Sequence, residues 1–239
     1  MDSITIIIPT YNEEKNIFKL TKSLFKILPR SLIYIIDDTR NSKISNILPK
    51  NKKIKYYLRK NKRGRGSAVL YGLKKSLKKN NNIFIEMDAD FSHNPKEIKK
   101  NLIFFKKNKL DLLVSSRYLP ESKILNWGIS RRFFSIISNF LAKMLLKIEV
   151  TDYTNGFRIY SRKSAQLIVK KCGNIGDGFI VLSEILLTIY LKNLKISEVP
   201  TIFVNRKRGE SSVNLLLIIQ SLLGLIKLYF IKKKIIKKN

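Results

Sequence analysis

The sequence predicts an α/β sandwich around a mostly parallel sheet, and two observations carry that prediction. Short β-branched apolar runs alternate with longer segments of helical period, and polar, mainly acidic residues gather where the apolar runs end. The run at 3–8 reads as the first strand, followed by helical spacing over 13–28. A second strand is expected at 32–37 and a third at 54–58, then a helix over 66–78. The run IFIEMD at 83–88 gives a fourth strand, 96–107 a further helix, and 111–115 a fifth strand. In such sheets ligands bind beyond the carboxyl ends of the strands. Those ends read Pro9-Thr10-Tyr11-Asn12-Glu13, Asp37-Asp38 and Asp88-Ala89-Asp90.

After about residue 120 the character changes. Residues 129–148, ISRRFFSIISNFLAKMLLKI, place a broad apolar face opposite Arg131, Ser135 and Ser138. The last stretch is more apolar still, with Gln220, Gly224 and Lys227 recurring at helical spacing and a cluster of Lys232, Lys233, Lys234, Lys237 and Lys238. That pattern suits a helix lying in a membrane interface, its lysines among acidic headgroups; packing on the core or a short span are the alternatives. The organisation expected is a catalytic domain over 1–212, with the interface helix 129–148 inside it, and a membrane-attached helix over 213–239.

The formal charge is +31, from 48 Lys and Arg against 17 Asp and Glu in 239 residues. Such a balance raises the question of a polyanionic partner. Most of the cations are lysines scattered among Ile and Asn, the look of a solvated lysine surface, and no recognition helix or stacking-aromatic module accompanies them. No nucleic acid is expected as a partner. One cysteine, Cys172, allows no internal disulfide, and one His with one Cys excludes a zinc site of the His/Cys type. The start MDSITIIIPTYNEE has neither the basic lead nor the apolar length of a signal peptide.

Two carboxylates one residue apart, in a turn after a buried strand, can share a divalent cation with a diphosphate, because hard oxygen ligands suit Mg²⁺ or Mn²⁺. Alone, Asp88-Ala89-Asp90 is a weak signal, since solvated turns often carry such pairs. The lone GxG of Arg63-Gly64-Arg65-Gly66 is equally weak and lies far from the first strand, against a dinucleotide fingerprint.

In order, however, IIIPTYNEE, IIDD, KRGRGSAVLYGL, MDADFSHNP, SSRY, NWGISRR, TDYTNGFRIYSR, GFIVLSE and EVPTIFVNRKRGESS resemble the dolichol-phosphate mannosyltransferases, or polyprenyl-phosphate mannose synthases. These are family 2 glycosyltransferases of GT-A fold, a Rossmann-like three-layer sandwich, and the resemblance spans about residues 3–230. It implies transfer of mannose from GDP-mannose to a polyprenyl phosphate with inversion, metal dependence on Mg²⁺ or Mn²⁺, and a membrane-associated protein at the cytoplasmic face, with small membrane subunits an open matter. By the same resemblance Pro9, Tyr11, Glu13, Ile36 and Asp38 match nucleotide-binding positions. Ala89 and Asp90 match nucleotide-sugar and metal positions, Asp88 lies beside them, and Ser92 falls where a second metal ligand sits. Arg117 and Arg206 match arginines at the donor, and Arg131 and Ser135 match acceptor-phosphate positions. Asp90, Arg117 and Arg131 are the residues on which catalysis is expected to rest.

Two segments depart from the family pattern. Thr39-Arg40-Asn41 follows Asp38 where Gly or Asn, Ser and Asp are usual, and Ser212 stands where a lysine is common. Donor identity is therefore left open toward a UDP-sugar and a glucosyl transfer. A basic nucleic-acid binder and a catalytically dead scaffold are the other readings. Trp127 and Glu184 are balanced between function and packing, whereas His93, with no partner at metal-ligand spacing, reads as a turn or packing residue.

Overall fold

A computed structural model describes residues 3–61, 63–205 and 215–237. Its elements run β1 (Ile4–Thr10), α1 (Glu14–Ile27), β2 (Leu32–Asp37), α2 (Ile44–Ile47), β3 (Ile54–Leu58), α3 (Arg65–Ser76), β4 (Ile83–Glu86), a 3₁₀ turn at Pro95–Glu97, α4 (Ile98–Lys107) and β5 (Leu112–Ser116). They continue with β6 (Lys123–Leu125), α5 (Ile129–Leu146), β7 (Arg158–Ser161), α6 (Arg162–Lys171), α7 (Ile180–Tyr190), β8 (Ile196–Pro200), β9 (Ile202–Val204) and α8 (Leu215–Ile236). All eight elements expected through residue 115 are present, with ends shifted by a few residues.

Seven strands form one sheet in the order β3-β2-β1-β4-β7-β5-β8. Only β7 runs antiparallel to its neighbours. The first strands are apolar on both faces because both faces are covered. Ile6, Ile8, Ile33 and Ile35 belong to the core under α1 and α4, while Ile7 and Ile36 belong to the core under α3, α7 and α8. Alternate residues of one strand thus enter opposite layers.

The chain winds from β1 outward to β3, then returns to place β4 on the other side of β1. That reversal opens a crevice beyond the ends of β1 and β4, the switch point at which open α/β sheets bind ligands. Across it β6 and β9 form a separate parallel ribbon. An isolated bridge from His93 to Phe203 ties this ribbon to the turn after β4.

The two apolar helices pack on each other and on the body. Gly224 lets α8 approach α7, since a Cβ there would collide with Ile180. Leu225 and Leu228 enter the core. Of the expected polar stripe Gln220 and Lys227 are exposed, but Gly224 faces the protein, and Lys232, expected among headgroups, is buried with its Nζ on the Leu146 carbonyl at the end of α5. A cation suits that helix terminus. The outward faces are apolar, with Ile129 90%, Phe133 61%, Phe140 65% and Phe230 62% exposed. Among the described residues no helix is long and apolar enough to cross a membrane.

Candidate active site

The ends of β1 and β2 form one wall. Asn12 takes a left-handed conformation, φ 58°, and its amide donates to Thr39 Oγ1 at 2.8 Å. Thr39, a departure in sequence, thereby ties the two strand ends together. Tyr11 is half exposed beside the Arg63 guanidinium, an accessible ring at the crevice edge. Glu13 opens α1 and accepts from Asn16 Nδ2 at 2.8 Å. Pro9 is half-buried in β1. Ile36 is a core residue whose side chain packs near Gly72; its buried side chain is not available to a nucleotide.

Asp38 is buried and already engaged. Arg59 grips it with a two-pronged pair, Nε to Oδ1 at 2.7 Å and Nη2 to Oδ2 at 2.6 Å, and the Gly64 amide adds a third donor at 3.0 Å. Asp37 accepts from the Thr39 amide and the Tyr56 hydroxyl. The acidic end of β2 thus organises the following loop and the entry to α3.

After β4, Asp88 is 28% exposed and Ala89 is buried. Burial alone would raise the Asp88 pKa, but the Arg65 guanidinium outweighs it, and with smaller help from His93 and Arg117 holds the carboxyl below its ordinary value. His93 is buried, stacked on Phe157, and its Nδ1 accepts the Asp88 amide at 3.0 Å while Nε2 meets Asn155 Oδ1 at 2.9 Å. The lone histidine therefore shapes the turn. Asp90 Oδ1 accepts the Ser92 amide at 3.0 Å, and Phe91 between them has φ 62°. Ser92 Oγ is buried without a hydrogen-bond partner among the described residues.

That orphaned hydroxyl is the structural test of the metal expectation. A buried hydroxyl without a partner is costly, and a hard cation beside Asp90 is a ligand that both oxygens suit. The described residues hold no cluster of three His, Cys, Asp or Glu side chains fit for a metal. A cation held by Asp90 and Ser92 would need further oxygens from a substrate.

The opposite wall is cationic and aromatic. Arg117, buried, makes a two-pronged pair with Asp152, Nε to Oδ2 at 2.7 Å and Nη2 to Oδ1 at 2.8 Å, and reaches Thr154 Oγ1 at 2.6 Å. Burial would raise the Asp152 pKa, yet Arg117 holds it below the ordinary range. Glu198 in turn accepts the amides of Thr151 and Asp152, so β8 supports the loop that supports Arg117. The rings of Trp127, Phe203 and Tyr118 lie 5.2, 5.4 and 5.5 Å from the Arg117 guanidinium carbon.

Arg131, on the first turn of α5, lies 4.9 Å from the Trp127 ring and donates to Asn205 at 2.9 Å. Ser135, one turn on, accepts from the Tyr118 hydroxyl at 2.6 Å. Arg131, Ser135, Arg117 and Trp127 therefore sit in one connected patch where the crevice meets the apolar face of α5. Arg206 and Ser212 lie outside the described residues. Glu184 is structural: buried on α7, it accepts the Gly173 and Asn174 amides, and burial raises its pKa.

Sequence reasoning missed Arg59, Arg65 and Asp152 as the residues that hold the expected aspartates and arginine. Arg65 and Asp152 stood within the motifs KRGRGS and TDYTNG and Arg59 in none of them, but only the fold shows whom they pair with. The TNGFRIY segment is likewise structural. Arg158 is fully buried on three carbonyls, and Tyr160 donates to Glu86 at 2.5 Å.

The crevice and the sheet order are those of the GT-A type of sugar-transferring fold. Glucosyl-3-phosphoglycerate synthase of Mycobacterium tuberculosis superposes with a TM-score of 0.68 at 15% identity, over 97% of this chain and 80% of that one. Its form holding Mn²⁺, UDP-glucose and phosphoglyceric acid gives 0.70 over 95% and 80%. Residues 5–168 match glycosyl transferase family 2, and the chain belongs to that family. Among curated relatives, undecaprenyl-phosphate mannosyltransferase of Micrococcus luteus is 28% identical over 88% of this chain and 87% of its own. Polyprenol monophosphomannose synthase of Mycolicibacterium smegmatis is 28% identical over 87% and 80%.

Proposed function

We propose that this enzyme transfers mannose from GDP-mannose to a polyprenyl phosphate with inversion, at the cytoplasmic face of a membrane. The observation that carries the acceptor class is the seam described above. Two arginines, an indole and a serine-tyrosine pair stand where a charged crevice runs into an exposed apolar helix. An anionic head on an apolar chain fits both halves of that surface. The mannosyl donor is supported by the names of the two relatives, which match over most of this chain.

The chemistry asks little proton transfer of the protein. A phosphate monoester has a second pKa of about 6 and is already a nucleophile at neutral pH, so no side-chain base is required. The burden is to bring two anionic substrates together. Arg117 is oriented for this: Asp152 takes Nε and Nη2, and the Nη1 edge makes no hydrogen bond among the described residues. Arg131 and Ser135 would hold the acceptor phosphate from α5, and the half-exposed Tyr11 would face the nucleotide. Asp90 and Ser92 would hold Mg²⁺ or Mn²⁺, which when bound neutralises charge on the departing diphosphate. Fixing both reactants in line at the anomeric carbon supplies much of the remainder.

Incubation with labelled GDP-mannose, Mn²⁺ or Mg²⁺ and a polyprenyl phosphate in liposomes is expected to label the lipid. UDP-glucose in the same assay separates the glucosyl alternative. Lack of lipid product from any nucleotide sugar would overturn the reading.

A further inference from the structure

The KRGRGS segment has no part in the reading above, and the structure gives it one. Arg65 begins α3, whose first turn carries no acidic residue, so its charge lies at the end of the helix where a cation is unfavourable. It is held there by carboxylates. Nε and Nη2 both donate to Asp88 Oδ1, at 2.8 and 2.7 Å, and Nη1 donates to the fully buried Glu86 at 2.5 Å. The remaining Nη2 contact is the Gly156 carbonyl at 3.3 Å.

One glycine makes room for this guanidinium, and two let the start of α3 lie against residues 177–181. A Cβ at Gly156 would collide with the guanidinium itself, and Cβ atoms at Gly64 and Gly66 would collide with Asp177 and with Gly178 and Val181 across the way. Gly64 also has φ 125°, a conformation that side chains disfavour. Gly156 therefore leaves space for the guanidinium at the end of β4, and the GxG lets α3 begin close to residues 177–181.

We infer that Arg65 is the built-in counter-ion of Asp88, so that Asp88 is tied into the protein and a divalent cation is left to Asp90 and Ser92. The inference rests on the proposed metal-dependent reading and deepens it. Asp88 Oδ1 already accepts two charge-assisted hydrogen bonds and has little left for a metal, while Oδ2 lies 3.7 Å from His93 Nε2. Asp90 accepts one backbone amide only, and Ser92 Oγ accepts nothing among the described residues. This departs from the expectation that Asp88 joins the metal ligands. It also gives the two aspartates separate tasks: Asp88 fixes the turn to α3, and Asp90 serves the substrate. Arg65 is thus a positioning residue.

The test is Mn²⁺ binding, followed by electron paramagnetic resonance, with saturating GDP and separately UDP. Asp90→Asn is expected to weaken Mn²⁺ binding about tenfold or more, as loss of a charged ligand does, and Asp88→Asn by less than about threefold. Arg65→Lys keeps a charge for Glu86 but cannot fork, so it frees Asp88 and tightens Mn²⁺ binding. An Asp88→Asn loss as large as that of Asp90→Asn would overturn the inference. Thermal melts in EDTA decide the pairing without metal: the Arg65→Lys, Asp88→Asn double variant should lose about 2–4 °C less than the sum of the single losses. Strictly additive losses would overturn the pairing. A wild-type protein that binds no Mn²⁺ with either nucleotide would sink the metal-dependent reading, and the melts would still judge Arg65 and Asp88.

Discussion

The crevice and the apolar slope of α5 and α8 are built on opposite terms. In the crevice nearly every charge has a partner inside the protein: Asp38 with Arg59, Asp88 with Arg65, Asp152 with Arg117. On the slope large apolar side chains such as Phe133, Phe140 and Phe230 are exposed and have no such cover. Charges held in fixed geometry by internal counter-ions need little reorganisation when a ligand arrives. Apolar groups meant for a surface can leave their partner to the environment. The contrast is between charges paired within the protein and apolar side chains left exposed.

The comparison is most sharply tested at Asp90, whose one hydrogen-bond partner among the described residues is the Ser92 amide. Asp90→Asn is expected to lower turnover about a thousandfold while the melting temperature changes little, as measured by steady-state assay and calorimetry. Retained turnover at saturating metal would remove Asp90 from the mechanism.

Next comes a paired charge. Asp152→Asn leaves Arg117 buried without its counter-ion and should cost about 3–5 kcal/mol in denaturant unfolding. The sign in pH follows from the lowered Asp152 pKa: its stabilisation is present above the ordinary value of 3.8 and is lost as pH falls through the still lower folded value. The difference between wild type and variant should therefore shrink only in strong acid.

The slope yields a smaller effect, confined to membranes. Phe133→Asp with Phe140→Asp should weaken liposome association at least about tenfold, from the loss of two buried aromatic rings, with donor binding unchanged. Equal retention on vesicles would break the contrast between the two halves.

The smallest effect is expected at Glu184, remote from both. Glu184→Gln should cost about 1 kcal/mol or less and leave activity unchanged. Since burial raises the Glu184 pKa, wild type loses stability as pH rises through that raised value, and the neutral glutamine does not. The deficit of the variant should accordingly be smaller at pH 8 than at pH 5, read from thermal melts.

The parallel half of the sheet was legible in sequence because its strands are buried on both faces and stand out as unbroken apolar runs. The strands β6 to β9 were not, being short and mixed in polarity, with residues such as Arg158 and Glu198 whose burial depends on partners far along the chain. The same divide runs through the site. Asp90, Arg117 and Arg131 could be placed from motifs, whereas Arg59, Arg65 and Asp152 became visible only as the other ends of ion pairs spanning 21 to 35 residues. Ile36 is a motif position whose side chain the sheet turns into the core.

Trp127, the single tryptophan of the chain, lies 5.2 Å from one guanidinium and 4.9 Å from another. The intrinsic fluorescence of this enzyme is consequently the fluorescence of the seam between crevice and slope. Two positive charges beside one indole set the local field, and a phosphate arriving there would cancel part of it. Emission should shift with a short polyprenyl phosphate and stay still with the corresponding alcohol, giving an optical titration of the acceptor end that needs neither a label nor a turnover.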